Sequence, residues 1–343
     1  MQTYECDNCG GRIEFSPTDK ALRCVNCGNL YSINYKREIA KKPISANISL
    51  EELTKWANAT KVFKCGNCGA QTTLNKFDLQ ARCSYCKTES LIPIKDLPGL
   101  KPEIIIPFKV SKQTARDVML KGIKKAHFVP HKLKNEVINI PVGATYISSF
   151  TFSCLANAGF KGVERYDEYE FDAFGRRSTT TRSRTITGRI NHNFSNIVVE
   201  ASDKILQKDI NEILPYDFRE AYDYNDDFIK GYSIGYYNQT VESAEMVAKN
   251  LATEELKRIL MRKYPKMEKV EVYPTFTEMK YNYAILPIYF VNVEYKKKTY
   301  TSLINGQTGK DNIKLPKSGK QITSVVLFIL MLIALPLLFI FLS

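Results

Sequence analysis

Residues 6–27, CDNCGGRIEFSPTDKALRCVNC, return 59 residues later, without a gap, as residues 65–86, CGNCGAQTTLNKFDLQARCSYC. Cys6, Cys9, Cys24 and Cys27 map onto Cys65, Cys68, Cys83 and Cys86. The neighbours agree as well: Asn8 with Asn67, Gly10 with Gly69, Asp19 with Asp78, Arg23 with Arg82 and Ile33 with Ile92. Each copy reads C-x2-C-x14-C-x2-C. A Cys-x-x-Cys turn places two sulfurs on one side of a tetrahedral Zn²⁺, and a second turn across a short hairpin supplies the other two. Glycine follows the second cysteine in three of the four turns, at Gly10, Gly28 and Gly69. This suits a turn that needs positive φ while backbone N–H groups face sulfur. The pattern predicts two small β zinc ribbons, at 1–35 and 63–95. Cys6, Cys9, Cys24 and Cys27 would hold one structural Zn²⁺, and Cys65, Cys68, Cys83 and Cys86 a second. Each copy is complete in itself, which disfavours a cross-braced pairing. Four thiolates close the coordination sphere and leave no open position for chemistry.

The chain has 343 residues and nine cysteines, eight of them in these pairs. An oxidised secreted framework would normally bring a signal peptide, but the start MQTYECDNCG is polar, so the thiols point to a reducing compartment and to metal. A thioredoxin-like dithiol would need a βαβ context, which the surrounding sequence does not suggest. Two Zn²⁺ on eight thiolates would lower the formal charge from +13 to +9. Residues 1–98 carry 14 Lys/Arg and 10 Asp/Glu, and the same correction brings that region to zero.

Between the copies, residues 36–62 read as a linker with a short helix. Ser49 and Glu52 form a capping box there, with Ile48 and Leu53 as a hydrophobic staple. KDLPGLKP at 95–102 marks a boundary. Beyond it, 103–315 reads as an α+β domain. A helix is expected from Ser111 to about Phe128, with Ala115, Val118, Met119 and Ile123 apolar, and another at 242–264 carrying the pairs Glu245/Lys249 and Glu254/Arg258. Strands are expected in ATYISSFTF, ITGRINHNF, NIVVE, VEVYPTF, YAILPIYFVNVEY and TYTSLI. Residues 322–342 hold no charge, about 31 Å of helix, and 321–342 is therefore expected to be one C-terminal transmembrane helix. Lys310, Lys314, Lys317 and Lys320 precede it, which places the N-terminal bulk in the cytoplasm and the lysines beside anionic lipid.

No catalytic constellation emerges. Cys154, in SSFTFSCLA, reads as a buried apolar thiol. His127 and His131 have helical spacing but are separated by Pro130, and His192 stands apart. NGQTGK at 305–310 lacks the glycine spacing of a phosphate loop and has Asp311 where Ser or Thr would be needed, so it reads as a turn. GRRSTTTRSRTITGR at 175–189, with five arginines and no acid, reads as an exposed loop or hairpin tip.

The two ribbons, the Ile105 to Phe108 opening and the run LPIYFVNVEYKKKTYTSLINGQTGK resemble bacterial TFIIB-type zinc-ribbon membrane proteins encoded beside PspA-type and SPFH-domain proteins. The resemblance implies a scaffold that recruits such partners in envelope stress. The expected function is thus a non-enzymatic, membrane-anchored zinc-ribbon adaptor at the cell membrane. The alternative is a membrane-tethered zinc-ribbon nucleic-acid-binding protein. Binding to nucleic acid is disfavoured because counterion release needs clustered Lys/Arg, and the ribbon region has no net positive charge.

Overall fold

A computed structural model of the chain describes residues 5–35, 37, 41–43, 60–75, 83, 88, 91–94, 100–130, 133, 142–171, 173–202, 204–296 and 298–342. The helix expected at 48–53, residues 95–99 of the expected boundary, His131 and Cys86 lie outside them.

A small antiparallel sheet comprises β1 (Ile13–Ser16), β2 (Ala21–Cys24) and β3 (Leu30–Tyr31), in that order. A twelve-stranded mixed sheet takes the other strands. These are β4 (Lys42–Pro43), β5 (Thr60–Cys65), β6 (Gln71–Asn75), β7 (Leu91–Ile94), β8 (Ile104–Ile105), β9 (Gly143–Phe171), β10 (Arg177–Glu200), β11 (Tyr222–Asp223), β12 (Ser233–Gly235), β13 (Met267–Tyr295), β14 (Lys298–Asn305) and β15 (Asp311–Asn312). Four α-helices are found among the described residues: α1 (Lys112–Lys125), α2 (Gln207–Ile213), α3 (Val241–Lys263) and α4 (Gly319–Leu342).

The spine of the large sheet is β10-β9-β13, antiparallel throughout, with Arg177 opposite Phe171 at one end and Phe290 opposite Gly143 at the other. Near its base, residues 145–152 of β9 are buried on both faces. Farther out, burial alternates: Cys154, Ala156, Ala158 and Phe160 face inwards. Onto that face α3 lays Ala244, Ala248, Ala252, Leu256 and Leu260, a stripe at i, i+4 spacing. Three alanines let the helix approach closely, while each buried leucine contributes roughly 1.5–3 kcal/mol. Thr240 caps α3 by accepting from Ser243 N, and Ser111 caps α1 by accepting from Thr114 N.

Both cysteine-bearing regions are built into this body. β6 pairs with β12, Ile234 opposite Thr73, and β12 in turn lies parallel to β9, so β5, β6 and β7 continue the large sheet. The small sheet docks through β1. Phe15 N donates to Lys230 O at 2.9 Å, and the Phe15 ring meets Phe228 edge-on at 5.4 Å. Contact is close at Gly231, where an added Cβ would come within 2.7 Å of Glu14 Cγ. Cys6, Ile13, Phe15, Leu22 and Cys24 share one apolar cluster with Phe108, Phe228 and Tyr289.

These observations correct the expected fold class. The protein is mostly β, one mixed sheet with a small companion sheet, where two separate ribbons, an α+β domain and a transmembrane helix were expected. The strands of the second ribbon found partners at long range, which no local pattern announces. The Arg-rich stretch begins in the hairpin turn between β9 and β10, at Gly175 and Arg176, and from Arg177 onwards is exposed strand rather than loop: Arg184 lies opposite Glu164 and pairs with it at 2.6 Å, and Arg182 bonds Glu168. A correction also applies at the C-terminus. Among the described residues no helix is long and apolar enough to cross a membrane. The expectations of a tail-anchored, single-pass protein of the cell membrane are overturned on that ground.

Candidate metal centres

Four cysteine turns share one backbone hydrogen bond. The N–H of the first cysteine in each turn donates to the carbonyl five residues on: Cys6 to Gly11, Cys24 to Asn29, Cys65 to Ala70 and Cys83 to Thr88, at 2.8–2.9 Å. In three of them the following glycine N–H donates back to that cysteine's carbonyl, Gly10 to Cys6, Gly28 to Cys24 and Gly69 to Cys65. Those glycines have φ of +67°, +76° and +69°. A side chain with a Cβ would be strained there, so the glycines are there to let the turn close around sulfur.

In the first centre the turn before β1 and the turn after β2 face each other. The four ligand atoms of Cys6, Cys9, Cys24 and Cys27 lie within 4.8 Å of one another. Cys6 Sγ is 3.5 Å from Cys27 Sγ, and Cys9 Sγ is 3.5 Å from Cys24 Sγ. Cys6 and Cys24 are buried; Cys9 and Cys27 are exposed. The two turns sit close because Gly11 has no side chain: a Cβ there would meet Asn26 Nδ2 at 2.7 Å. In the second centre the sulfurs of Cys65, Cys68 and Cys83 converge in the same way, with Cys68 and Cys83 3.5 Å apart, and Cys86 lies outside the described residues. Each cluster could hold a metal ion.

The donor set of the first cluster suits a cation. The Tyr31 hydroxyl donates to Cys6 Sγ at 3.2 Å and accepts from Asp7 N at 3.1 Å. That hydroxyl, against the cost of desolvation, brings the Cys6 thiol down to about 6. At Cys9 the Gly11 backbone N–H pulls the same way, but the crowding sulfurs of Cys27 and Cys24 prevail and push it up to about 12. Four thiols this close cannot all ionise at neutral pH unless a cation sits among them. Tyr31 escaped the sequence reading because the repeat places Ser90 at the corresponding position.

Other candidates stay apart. Cys154 is buried at 3% exposure against α3, and burial raises its thiol, as suits an inert core residue. His127 is exposed after α1, and His192 packs edge-on against Phe194 at 4.5 Å. NGQTGK is a turn: Asn305 Oδ1 accepts from Gln307 N and Thr308 N, and Asn305 Nδ2 donates to Ile213 O. Of the four lysines expected near lipid, Lys314 pairs with Asp209 at 2.6 Å and Lys310 Nζ donates to Leu214 O, while Lys317, just before α4, and Lys320, in its first turn, are exposed. Among the described residues, the two cysteine clusters are the sole groups of three or more metal-ligating side chains.

Compared with known proteins, the chain is similar to YdjG, an uncharacterised protein of Bacillus subtilis (strain 168). The two are 25% identical over 329 residues, spanning 94% of this chain and 92% of YdjG. No family model matches, so the TFIIB-type resemblance has no support at the level of a family. No solved structure matches.

Proposed function

We propose that the chain is a zinc-ribbon adaptor: Zn²⁺ closes each cysteine cluster, and the stiffened turns present a surface to protein partners. The carrying observation is the exposure of apolar side chains on the first cluster's own frame. Val25, inside the turn between Cys24 and Cys27, is 52% exposed, and Leu30, just after it, is 53% exposed. Side chains on a closed knuckle lose little entropy when a partner covers them, which favours binding. A four-sulfur site offers structure and no open coordination position, in keeping with a role outside catalysis. The resemblance to ribbon proteins encoded beside PspA-type and SPFH-domain proteins nominates those two classes as partners.

The test is affinity recovery of partners by tagged full-length protein, with identification by mass spectrometry, from wild type and from a Val25→Asp, Leu30→Asp variant. A partner of either class is expected with wild type and at least about tenfold less with the variant. Equal recovery by both proteins, or sub-micromolar salt-sensitive binding of DNA or RNA by the wild type, would count against the adaptor reading.

A further inference from the structure

Where the small sheet meets the body it leaves a cleft of about 140 Å³. Its floor is apolar and fixed: Phe15 from β1, Phe108 after β8 and Phe228 are 4%, 2% and 3% exposed. Tyr35 forms the lip, 47% exposed, its ring 4.5 Å from that of Tyr222 in an edge-on contact. Both partners of the seam are therefore needed to make the cleft, the ribbon giving Phe15 and Tyr35 and the body giving Phe108, Tyr222 and Phe228.

The rim is cationic. Lys20, Arg37 and Lys109 border the opening, with Glu220 as the acid among the lining residues. Glu220 is already engaged, accepting from Lys109 Nζ at 2.7 Å and from Gln307 Nε2 at 3.0 Å. Arg37 is exposed yet held: its guanidinium lies 4.5 Å over the Tyr222 ring and donates to Tyr222 Oη at 2.7 Å. Such an arginine keeps its charge at a defined place beside an apolar hole.

Size decides what class of molecule this suits. Pockets that enclose a small ligand have roughly 300–1,000 Å³. At 140 Å³ this cleft has room for about one large side chain and leaves the rest of its ligand outside, as an anchor pocket in a protein interface does. The charge around it then selects what flanks that side chain. We propose that the seam cleft is the docking point for an acidic, extended segment of a protein partner, which inserts one aromatic or branched apolar side chain between ribbon and body. This deepens the adaptor reading and rests on it.

The experiment uses the full chain and three fluorescein-labelled peptides: Glu-Asp-Ser-Phe-Ser-Asp-Glu, its Phe-to-Ala form, and a form with Lys at each acidic position. The first is expected to bind, with both controls weaker by about tenfold or more in fluorescence anisotropy. A Lys20→Asn, Arg37→Glu variant should lose about tenfold on the first peptide while keeping its metal content. Asparagine is chosen at Lys20 because φ there is +52°, a conformation asparagine tolerates. Three peptides of equal affinity, no binding of the first, or an unchanged variant would overturn the proposal. Should the same variant still recover the partner as wild type does, the adaptor reading would stand and the cleft would fall.

Discussion

Replacing Cys24 by Ser is expected to lower bound metal from two ions to one per chain and to destabilise the body as well as the ribbon. Cys24 is 1% exposed and belongs to the cluster that includes Phe15, Phe108, Phe228 and Tyr289. Zn²⁺ held by four thiolates contributes folding free energy directly, on the order of 10–16 kcal/mol in isolated zinc-finger peptides. A ribbon without its ion cannot hold Phe15 against Phe228. The cost passed to the body should then be at least about 3 kcal/mol, the loss seen when a buried phenylalanine is truncated to alanine. Chemical denaturation followed by tyrosine fluorescence, with elemental analysis of the same preparation, would measure both. Cys154→Ser serves as the control, since it should leave metal content unchanged. Loss of one ion with an unaltered unfolding midpoint would mean that the ribbon is an appendage.

Deleting residues 1–98 is expected to have the largest effect. It removes β5, β6 and β7 from the large sheet, strips β12 of its partner β6 and uncovers Phe228, which is 3% exposed in the intact fold. Tyr236 N also loses its acceptor, Gln71 O at 3.1 Å. An unpaired strand beside freshly exposed apolar surface favours aggregation over folding. Comparing 1–318 with 99–318 isolates this effect from α4. The shorter fragment should lack a sharp thermal transition and elute as aggregates in size-exclusion chromatography. A monomer melting within a few degrees of the longer protein would show instead that the body folds alone.

The cysteine geometry was legible because a metal site is written locally: two ligands and a glycine within five residues, then the same again. Helices α1 and α3 were legible for a related reason, since their apolar stripes keep helical spacing over a few turns. The long strands were less so. The sequence offered several short β segments between 137 and 200 where two strands of 29 and 24 residues stand. Alternation vanishes where β9 is covered on both faces, and the register breaks at bulges between Phe194 and Ile197, and between Thr277 and Lys280, so a period-two reading fragments them. Arg182 and Arg184 read as part of an exposed loop or hairpin tip, and what stayed hidden was their register, since the acids they pair with lie 14 to 20 residues back in sequence. The joining of the second ribbon to the large sheet rests on Ile234 opposite Thr73, a pairing with no local signature. The uncharged stretch at 322–342 pointed to a membrane on hydropathy and length, an expectation that no helix among the described residues meets.

The proposed adaptor depends above all on zinc in the cysteine clusters, and metal content tests that directly. Full-length protein purified under reducing conditions without added metal should contain close to two Zn²⁺ per chain by inductively coupled plasma mass spectrometry. Less than one zinc per chain, or visible absorption from an iron–sulfur cluster, would contradict it.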